Sequence, residues 1–211
     1  MMPVRGLSGL YVIVDPEHTC GRRPVEVCRL ALAGGATAIQ WRDKTRDKGD
    51  QLADLEALLA LCRAAGAPLI VNDHVDLALA VGADGVHVGQ HDLPLPLVRR
   101  LLPVDAIAGC STNNPDEARA AEAAGASYIA VGRIFPTTSK TNTRPAELSV
   151  IERVRAAISV PLVAIGGITA ANVAQVIAAG ADAAAVIAAV GEAPDVEAAA
   201  RAIASGFAGR I

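Results

Sequence analysis

Residues 77–92, LALAVGADGVHVGQHD, contain the repeating unit that decides the fold. A stretch rich in Leu and Ala runs into Gly82-Ala83, and a short apolar run, DGVHV, follows. Glycine supplies the left-handed residue that ends a helix, and the apolar run is the next strand. The segment therefore predicts a helix, a glycine cap and a buried strand, which together form half of a βα repeat.

The same Gly-Ala pattern occurs four times, at residues 35–36, 82–83, 125–126 and 180–181, with spacings of 47, 43 and 55 residues. With four more strands between these repeats, we predict strands at residues 11–14, 37–41, 69–71, 84–88, 106–108, 127–131, 162–165 and 182–187. We predict helices at residues 24–33, 49–64, 75–81, 95–102, 114–124, 147–157, 170–179 and 195–204. The strands are continuous apolar runs, which is typical of parallel strands covered on both faces.

Eight alternating βα units predict one α/β domain, residues 1–211, folded as a compact (β/α)8 barrel of the TIM type. A doubly wound open sheet is the alternative, but no G-x-G-x-x-G motif follows the first strand. No linker or break in composition divides the chain.

The composition excludes several classes of partner. Nineteen Lys and Arg against 22 Asp and Glu give a net charge of −3, which is too near neutrality to indicate a polyanion. Aromatic residues are 2% of the chain, which argues against base stacking, and the longest apolar run, residues 183–190, is too short for a membrane helix. We expect a cytoplasmic protein that binds neither nucleic acid nor a membrane and that forms a homodimer or another small homo-oligomer.

Polar side chains cluster where the predicted strands end, and barrels of this type carry their chemistry at that rim. Gly166 and Gly167 follow the seventh strand, and the eighth ends at Ile187 and Ala188. The opposite strand ends carry mostly Gly, Ala and Pro. The polar residues of the rim are Asp15, Gln40, Arg42, Asp43, Lys44, Asn72, Asp73, Gln90, Asp92, Ser111, Thr112, Thr137, Thr138, Ser139 and Lys140.

Asp73 and Asp92 end neighbouring predicted strands, which lie about 4.8 Å apart in a sheet. Two carboxylates leaning inward could share Mg²⁺, which usually keeps water and phosphate as its other ligands. Each aspartate could instead cap the helix that follows it. Because three cations, at positions 42, 44 and 140, accompany the pair, we favour the magnesium site.

Other rim segments favour phosphate binding. Arg42 and Lys44 have the side-chain parity of Gln40, so all three can face one mouth, where Arg offers a planar fork and Lys a point charge. In AIGGIT, residues 164–169, Gly167 precedes a predicted N-cap, Thr169, whose helix amides would bind phosphate. No residue stands out as a general base, which favours chemistry driven by charge stabilisation.

These residues carry a resemblance to a known family. Over nearly its whole length the chain resembles thiamine-phosphate synthases, through GGATAIQWRDK, VNDHVDLALAVGADGVHVGQHDLP, AGCST, VGRIFPTTSK, AIGGIT and AGADAAAVIAAV. The resemblance implies a transferase of thiamine biosynthesis. An aminopyrimidine methanol diphosphate would lose diphosphate in a dissociative, Mg²⁺-assisted substitution, and the nitrogen of a thiazole phosphate would take its place to give thiamine phosphate.

The resemblance also implies a role for each rim residue. Asp73 and Asp92 would bind Mg²⁺, and the catalytic residues would be Arg42, Lys44, Ser111 and Lys140. The pyrimidine diphosphate would be bound by Gln40, Trp41, Arg42, Asp43, Lys44, Asn72, Ser111 and Lys140. The thiazole phosphate would be bound by Thr137, Thr138, Ser139, Gly167, Ile187 and Ala188.

The chain departs from the family pattern at four positions. Ser139 stands where Thr is usual, Ala183 where Gly is usual, and Trp41 where an aliphatic residue is common. Ala188 stands where Ser is usual. We expect Trp41 to narrow the pyrimidine pocket, and we expect the missing hydroxyl at position 188 to weaken thiazole phosphate binding by about 1 kcal/mol.

Three alternatives remain open at the level of sequence. A thiazole tautomerase shares the barrel and phosphate loop but lacks the metal pair, so the pair Asp73 and Asp92, together with Lys140, favours the synthase. A non-catalytic binder of thiamine precursors is favoured only by Ala183 and Ala188. A phosphosugar barrel, such as an epimerase, would need no Mg²⁺-dependent diphosphate chemistry.

Overall fold

The computed structural model describes residues 7–136 and 147–208. Its eight parallel strands pair in chain order and close on themselves, β1 with β8, which confirms the (β/α)8 barrel. The strands are β1 (Gly9–Val14), β2 (Ala36–Trp41), β3 (Leu69–Asn72), β4 (Gly85–Val88), β5 (Ile107–Thr112), β6 (Tyr128–Val131), β7 (Leu162–Ile165) and β8 (Ala183–Val186). The helices are α1 (Pro24–Ala33), α2 (Lys48–Ala65), α3 (Val75–Val81), α4 (Leu95–Leu101), α5 (Pro115–Ala123), α6 (Leu148–Arg155), α7 (Val173–Ala178), α8 (Ala188–Gly191) and α9 (Val196–Ala204).

Side chains along each strand alternate between two separate apolar cores. One core lies between the strands and the surrounding helices and includes Val12, Trp41 and Val86. The other fills the barrel interior and includes Tyr11, Ile70 and Tyr128. This alternation decides which rim residues face inward, because positions of equal parity on a strand share a face.

The barrel interior is narrow enough to require a glycine opposite one aromatic side chain. A Cβ added to Gly109 on β5 would lie 2.1 Å from Cζ of Tyr128 on the neighbouring β6. Any larger residue at this position would displace the Tyr128 ring from the interior.

Three of the differences between predicted and observed boundaries concern the carboxyl rim. Strand β5 continues to Thr112, because it pairs with β6 through its last two residues, so Ser111 and Thr112 lie on the strand and not after it. Helix α7 begins at Val173 with Asn172 as its N-cap, and the Asn172 side chain accepts a hydrogen bond from the Thr169 amide at 2.8 Å. Thr169 is therefore not the N-cap. The short helix α8 begins at Ala188, within the segment where we predicted only a strand end.

The amino ends of the strands carry polar residues that are used within the fold. The side chains just before β4, β6 and β8 accept a hydrogen bond from the first or second amide of the preceding strand: Asp84 from Leu69, Ser127 from Ala108 and Asp182 from Leu162. Within the described ranges, no helix has the length and apolar character needed to cross a membrane.

Candidate active site

A hydrogen-bonded row of side chains crosses the barrel interior below the carboxyl rim; we call these residues the polar floor. The Gln40 side-chain amide donates to the Tyr11 hydroxyl at 2.8 Å, and the hydroxyls of Tyr11 and Tyr128 lie 3.0 Å apart. His87 Nδ1 lies 2.8 Å from the Tyr128 hydroxyl, and its Nε2 lies 2.8 Å from Oγ of Ser111. The polar floor thus joins five strands, β2, β1, β6, β4 and β5.

The polar floor has one free acceptor in the described part of the chain. Gln40 is buried, and its Oε1 has no hydrogen-bond partner there. Burial raises the pKa values of Tyr11 and Tyr128 far above those of exposed tyrosines, so both hydroxyls stay protonated. A ligand lying on the floor would therefore meet a carbonyl acceptor beside neutral hydroxyls.

Sequence reasoning missed Tyr11, Tyr128 and His87 as site residues. We assigned all three residues to predicted strands and gave them no role in the site. A usable signal was present in the parity of the strands. His87 alternates with the apolar Val86 and Val88, and an inward polar residue at the end of a barrel strand indicates a site.

The two aspartates predicted to bind Mg²⁺ lie side by side. Asp73 follows β3 with φ +62°, and its amide donates to the His87 carbonyl at 2.8 Å. Asp92 Oδ2 accepts from the Gly89 amide at 2.7 Å. The alternative that they cap helices is not supported, because the N-caps of α3 and α4 are His74 and Pro94.

The electrostatics of this pair fit a divalent cation. Burial raises the pKa of Asp73, the Lys44 ammonium 3.2 Å away opposes that shift, and the adjacent Asp92 carboxyl raises the pKa further. The site is thus short of positive charge. In residues 7–136 and 147–208, no three His, Cys, Asp or Glu side chains come together as metal ligands. A site of two carboxylates suits Mg²⁺, which retains several waters.

Two of the three cations predicted to bind diphosphate, Arg42 and Lys44, come from the β2–α2 loop, residues 42–47. The Arg42 guanidinium pairs with the buried carboxylate of Asp15, and its Nε is buried without a hydrogen-bond partner in the described residues. Lys44 reaches Asp73, and its side chain is 53% exposed. Arg42 and Lys44 thus pair with two different aspartates that follow strands, Asp15 and Asp73.

Asp43, predicted to contact substrate, is instead occupied within the loop. Its Oδ1 accepts from the amides of Thr45 and Arg46, and its Oδ2 accepts from Arg46 Nε at 2.5 Å. Although burial would raise it, these hydrogen bonds hold the pKa of Asp43 below its ordinary value. Both carboxylate oxygens thus stabilise the loop that carries Lys44.

The expectation that Trp41 narrows the pyrimidine pocket is wrong. The side chain is 1% exposed and belongs to the core between the strands and the helices. Its indole Nε1 donates to Oε1 of Gln51 on α2 at 2.8 Å. The physical reason is parity: Gln40 faces the interior, so its neighbour on the strand faces the helices.

The remaining predicted residues divide between the described rim and the segment 137–146. Asn72 ends β3 and has the parity of the inward-facing Ile70, and Ser111, on β5, belongs to the polar floor. Gly167, with φ +64°, packs under the backbone of Pro136, which a Cβ would approach to 2.6 Å. Ile187 and Ala188 form the start of α8. Thr137, Thr138, Ser139 and Lys140 lie outside the described residues.

Comparisons with known proteins show the family. A family model described as "Thiamine monophosphate synthase" matches residues 10–190. The "Thiamine-phosphate synthase" of Moorella thermoacetica is 50% identical over 193 residues, 91% of this chain and 92% of that protein. The protein of the same name from Chromobacterium violaceum is 47% identical over 99% of this chain and 100% of its own.

Solved structures extend the comparison. "Thiamine phosphate pyrophosphorylase" from Pyrococcus furiosus has a TM-score of 0.87 and 38% identity over 94% of each chain. A 3-hexulose-6-phosphate synthase, with a TM-score of 0.68 and 18% identity over 94% of this chain and 99% of its own, shares the fold alone. From the match over most of the chain and the identity of its relatives, this protein belongs to the thiamine monophosphate synthase family and is an enzyme, a transferase.

Proposed function

We propose that the chain is a thiamine-phosphate synthase that joins an aminopyrimidine methanol diphosphate to a thiazole phosphate and releases diphosphate. The observation that carries this proposal is the cluster of Lys44, Asp73 and Asp92, which adjoins the polar floor where the Asp73 amide donates to the His87 carbonyl at 2.8 Å. The cluster can hold a multiply charged leaving group, and the floor beneath it can hold a neutral heterocycle. Few other reactions need both in contact.

The polar floor is suited to orient the pyrimidine. The free Oε1 of Gln40 accepts a hydrogen bond from the exocyclic amino group, and the Ser111 hydroxyl, held by His87, meets a ring nitrogen. Two contacts at different ring positions fix the direction in which the exocyclic carbon faces the rim. The ring's electron-donating amino group then stabilises positive charge at that carbon as its bond to oxygen breaks.

The rim receives the negative charge that leaves. The C–O bond breaks with both electrons going to diphosphate, and Arg42 and Lys44 stabilise that charge as it develops. Mg²⁺ held by Asp73 and Asp92 would neutralise further charge on the same group. The thiazole nitrogen donates its lone pair to the pyrimidine carbon, so no proton has to be removed by the enzyme.

The thiazole phosphate is assigned to the other half of the rim. Gly167, Ile187 and Ala188 present backbone there, and residues 137–139 add hydroxyl side chains on the basis of the resemblance. We predict that Lys140→Ala lowers kcat more than it weakens thiazole phosphate binding, because Lys140 is assigned to the diphosphate. A change confined to thiazole phosphate affinity would place Lys140 on the other substrate.

The direct test mixes both substrates with Mg²⁺ and follows diphosphate and thiamine phosphate together. The proposal requires equal amounts of the two products. Tautomerisation of a thiazole without release of diphosphate would identify a tautomerase instead. Calorimetric binding of both substrates without turnover would identify a binding protein.

The metal assignment has its own test. Asp92→Asn keeps an acceptor for the Gly89 amide but removes the charge, and Asp92→Ala removes both. We expect both variants to fold and to lose activity at ordinary Mg²⁺ concentrations. Wild-type rates in either variant would exclude Asp92 as a ligand.

A cytoplasmic location and a homodimer or other small homo-oligomer stay predictions. Cell fractionation tests the location, and size-exclusion chromatography tests the oligomeric state.

A further inference from the structure

The outward face of β2 is tied to α2 by a side-chain contact that the reaction itself does not use. The Trp41 indole donates to Gln51 Oε1 at 2.8 Å, and Gln51 Nε2 donates to the Arg46 carbonyl at 2.9 Å. Both Trp41 and Gln51 are 1% exposed. A glutamine this deeply buried satisfies a donor on the strand and an acceptor in the loop at the same time.

Arg46 extends this contact to the rest of the loop. Its guanidinium lies 5.4 Å from the centre of the Trp41 ring, donates to Asp43 through Nε and pairs with Asp54 of α2 at 2.9 Å. We call Trp41, Gln51 and Arg46 the loop brace. Stacking on the ring and pairing with two carboxylates hold the guanidinium in one place.

The loop brace leaves one side chain of the loop free to reach the rim. Residues 43, 45 and 46 are fixed by hydrogen bonds on either side of Lys44, whereas the Lys44 side chain extends 53% exposed toward Asp73. Arg42 is fixed by β1, because its backbone amide donates a hydrogen bond to the Val14 carbonyl at 3.0 Å. The backbone of both cationic residues is therefore set before any ligand binds.

We propose that Gln51 and Trp41 are positioning residues, which hold the β2–α2 loop so that Arg42 and Lys44 meet a diphosphate group without further ordering. The inference rests on the proposed function for the identity of the substrate, but it concerns residues that touch no substrate. It assigns the loop brace to the pyrimidine diphosphate side of the reaction and not to the thiazole phosphate side. Preorganised cations stabilise developing charge better than cations that must first be ordered.

The test begins with Gln51→Leu, which keeps the buried volume and removes both hydrogen bonds. We expect KM for the pyrimidine diphosphate to rise about tenfold, the effect of leaving buried polar groups unpaired, with kcat reduced and KM for the thiazole phosphate unchanged. Asp182→Ala, at the opposite rim, is the matched control: it should lower the melting temperature while leaving both KM values unchanged. Equal KM values for Gln51→Leu and wild type would overturn the proposal.

Two milder variants keep the test valid if Gln51→Leu does not fold. Gln51→Asn keeps the acceptor and the donor on a side chain that is one carbon shorter, so it weakens both hydrogen bonds, and Trp41→Phe retains a ring under Arg46 but loses the indole donor. Each should raise the same KM by less than Gln51→Leu does. A fall in melting temperature in these variants without any change in KM would show a purely structural role.

A binding measurement separates this inference from the proposed function. Trp41 is the single tryptophan of the chain, so its fluorescence reports on the loop brace directly. The Trp41 emission of the wild type should stay unchanged when inorganic diphosphate and Mg²⁺ bind, because the loop is already ordered. Calorimetric titration with inorganic diphosphate and Mg²⁺ should show about tenfold weaker binding to Gln51→Leu than to the wild type. If that difference appears while no condensation occurs, the loop brace stands and the synthase assignment fails. If condensation occurs without that difference, the loop brace fails alone.

Discussion

Four aspartates lie at the carboxyl rim, and they have three different roles in the structure. Asp15 pairs with Arg42, and Asp43 closes the loop that carries Lys44. Asp73 and Asp92 face each other with too little positive charge between them. Sequence alone cannot distinguish these duties, because a carboxylate after a strand looks the same whether it points toward a ligand or toward its own loop.

Replacing Asp73 separates stability from function. Asp73→Asn removes a partly buried negative charge that lies beside the Asp92 carboxyl, and asparagine tolerates the positive φ of this position. We therefore expect the metal-free variant to melt at the same temperature as the wild type or higher, while its synthase activity is lost. Thermal melts with and without Mg²⁺ check this, and a variant that Mg²⁺ still stabilises like the wild type would contradict it.

Restoring a hydroxyl at position 188 should improve the thiazole phosphate side. Ala188 is the first residue of α8 and is partly exposed, so a serine fits without displacing the core. We expect Ala188→Ser to lower KM for the thiazole phosphate about fivefold, equivalent to one hydrogen bond of about 1 kcal/mol. KM for the pyrimidine diphosphate serves as the internal control. A change in that constant instead would show that position 188 contacts the pyrimidine diphosphate and not the thiazole phosphate.

At the scale of elements, strands and helices followed from the sequence, whereas the loops between them did not. The core of each strand was predictable because a parallel strand buried on both faces must be apolar, and helix α3 was predictable to the residue because Gly82 ends it with φ +68°. The end of β5 was missed because Gly109, Ser111 and Thr112 read as loop residues. The Tyr128 ring on β6 leaves room only for glycine at position 109. This contact joins two strands, so no local sequence pattern predicts it.

The contribution of the β2–α2 loop to the free energy of unfolding should depend on pH through Asp43. The folded pKa of Asp43 lies below its ordinary value, so its contribution is complete above roughly pH 4 and is lost as the pH falls through the folded pKa. We expect Asp43→Asn to lower the free energy of unfolding by about 1–2 kcal/mol at pH 7. Urea titrations should show the two proteins converging below roughly pH 4, whereas a constant difference down to pH 2 would mean that the charge is irrelevant.

At the scale of the whole molecule, the barrel divides its polar residues between two ends with separate purposes. Among the described residues, the carboxyl rim leaves buried polar atoms such as Gln40 Oε1 and Arg42 Nε without a partner. The amino rim pairs Asp84, Ser127 and Asp182 with strand amides. The sequence predicted where the site lies, because barrel topology brings all strand ends to one rim. It could not predict the polar floor, which depends on contacts between residues 11 and 128, far apart in the chain.

The amino rim offers a test of this division. Asp182 accepts from the Leu162 amide and pairs with Arg155, both at 2.8 Å. We expect Asp182→Ala to lower the free energy of unfolding by about 1–2 kcal/mol and to leave kcat and both KM values unchanged. Urea denaturation and steady-state kinetics on the same preparation decide it, and altered kinetics would show that the two ends are coupled.

The tyrosine pair at the centre of the barrel has a consequence for how ligands come and go. Tyr11 and Tyr128 are fully buried over an apolar core. They close the barrel interior, so substrates and products enter and leave the site only from the carboxyl rim. A heterocycle resting on the tyrosine pair would be trapped beneath whatever arrives second. Substrate binding would then be ordered, with the more deeply bound substrate binding first. Product-inhibition patterns would show this order.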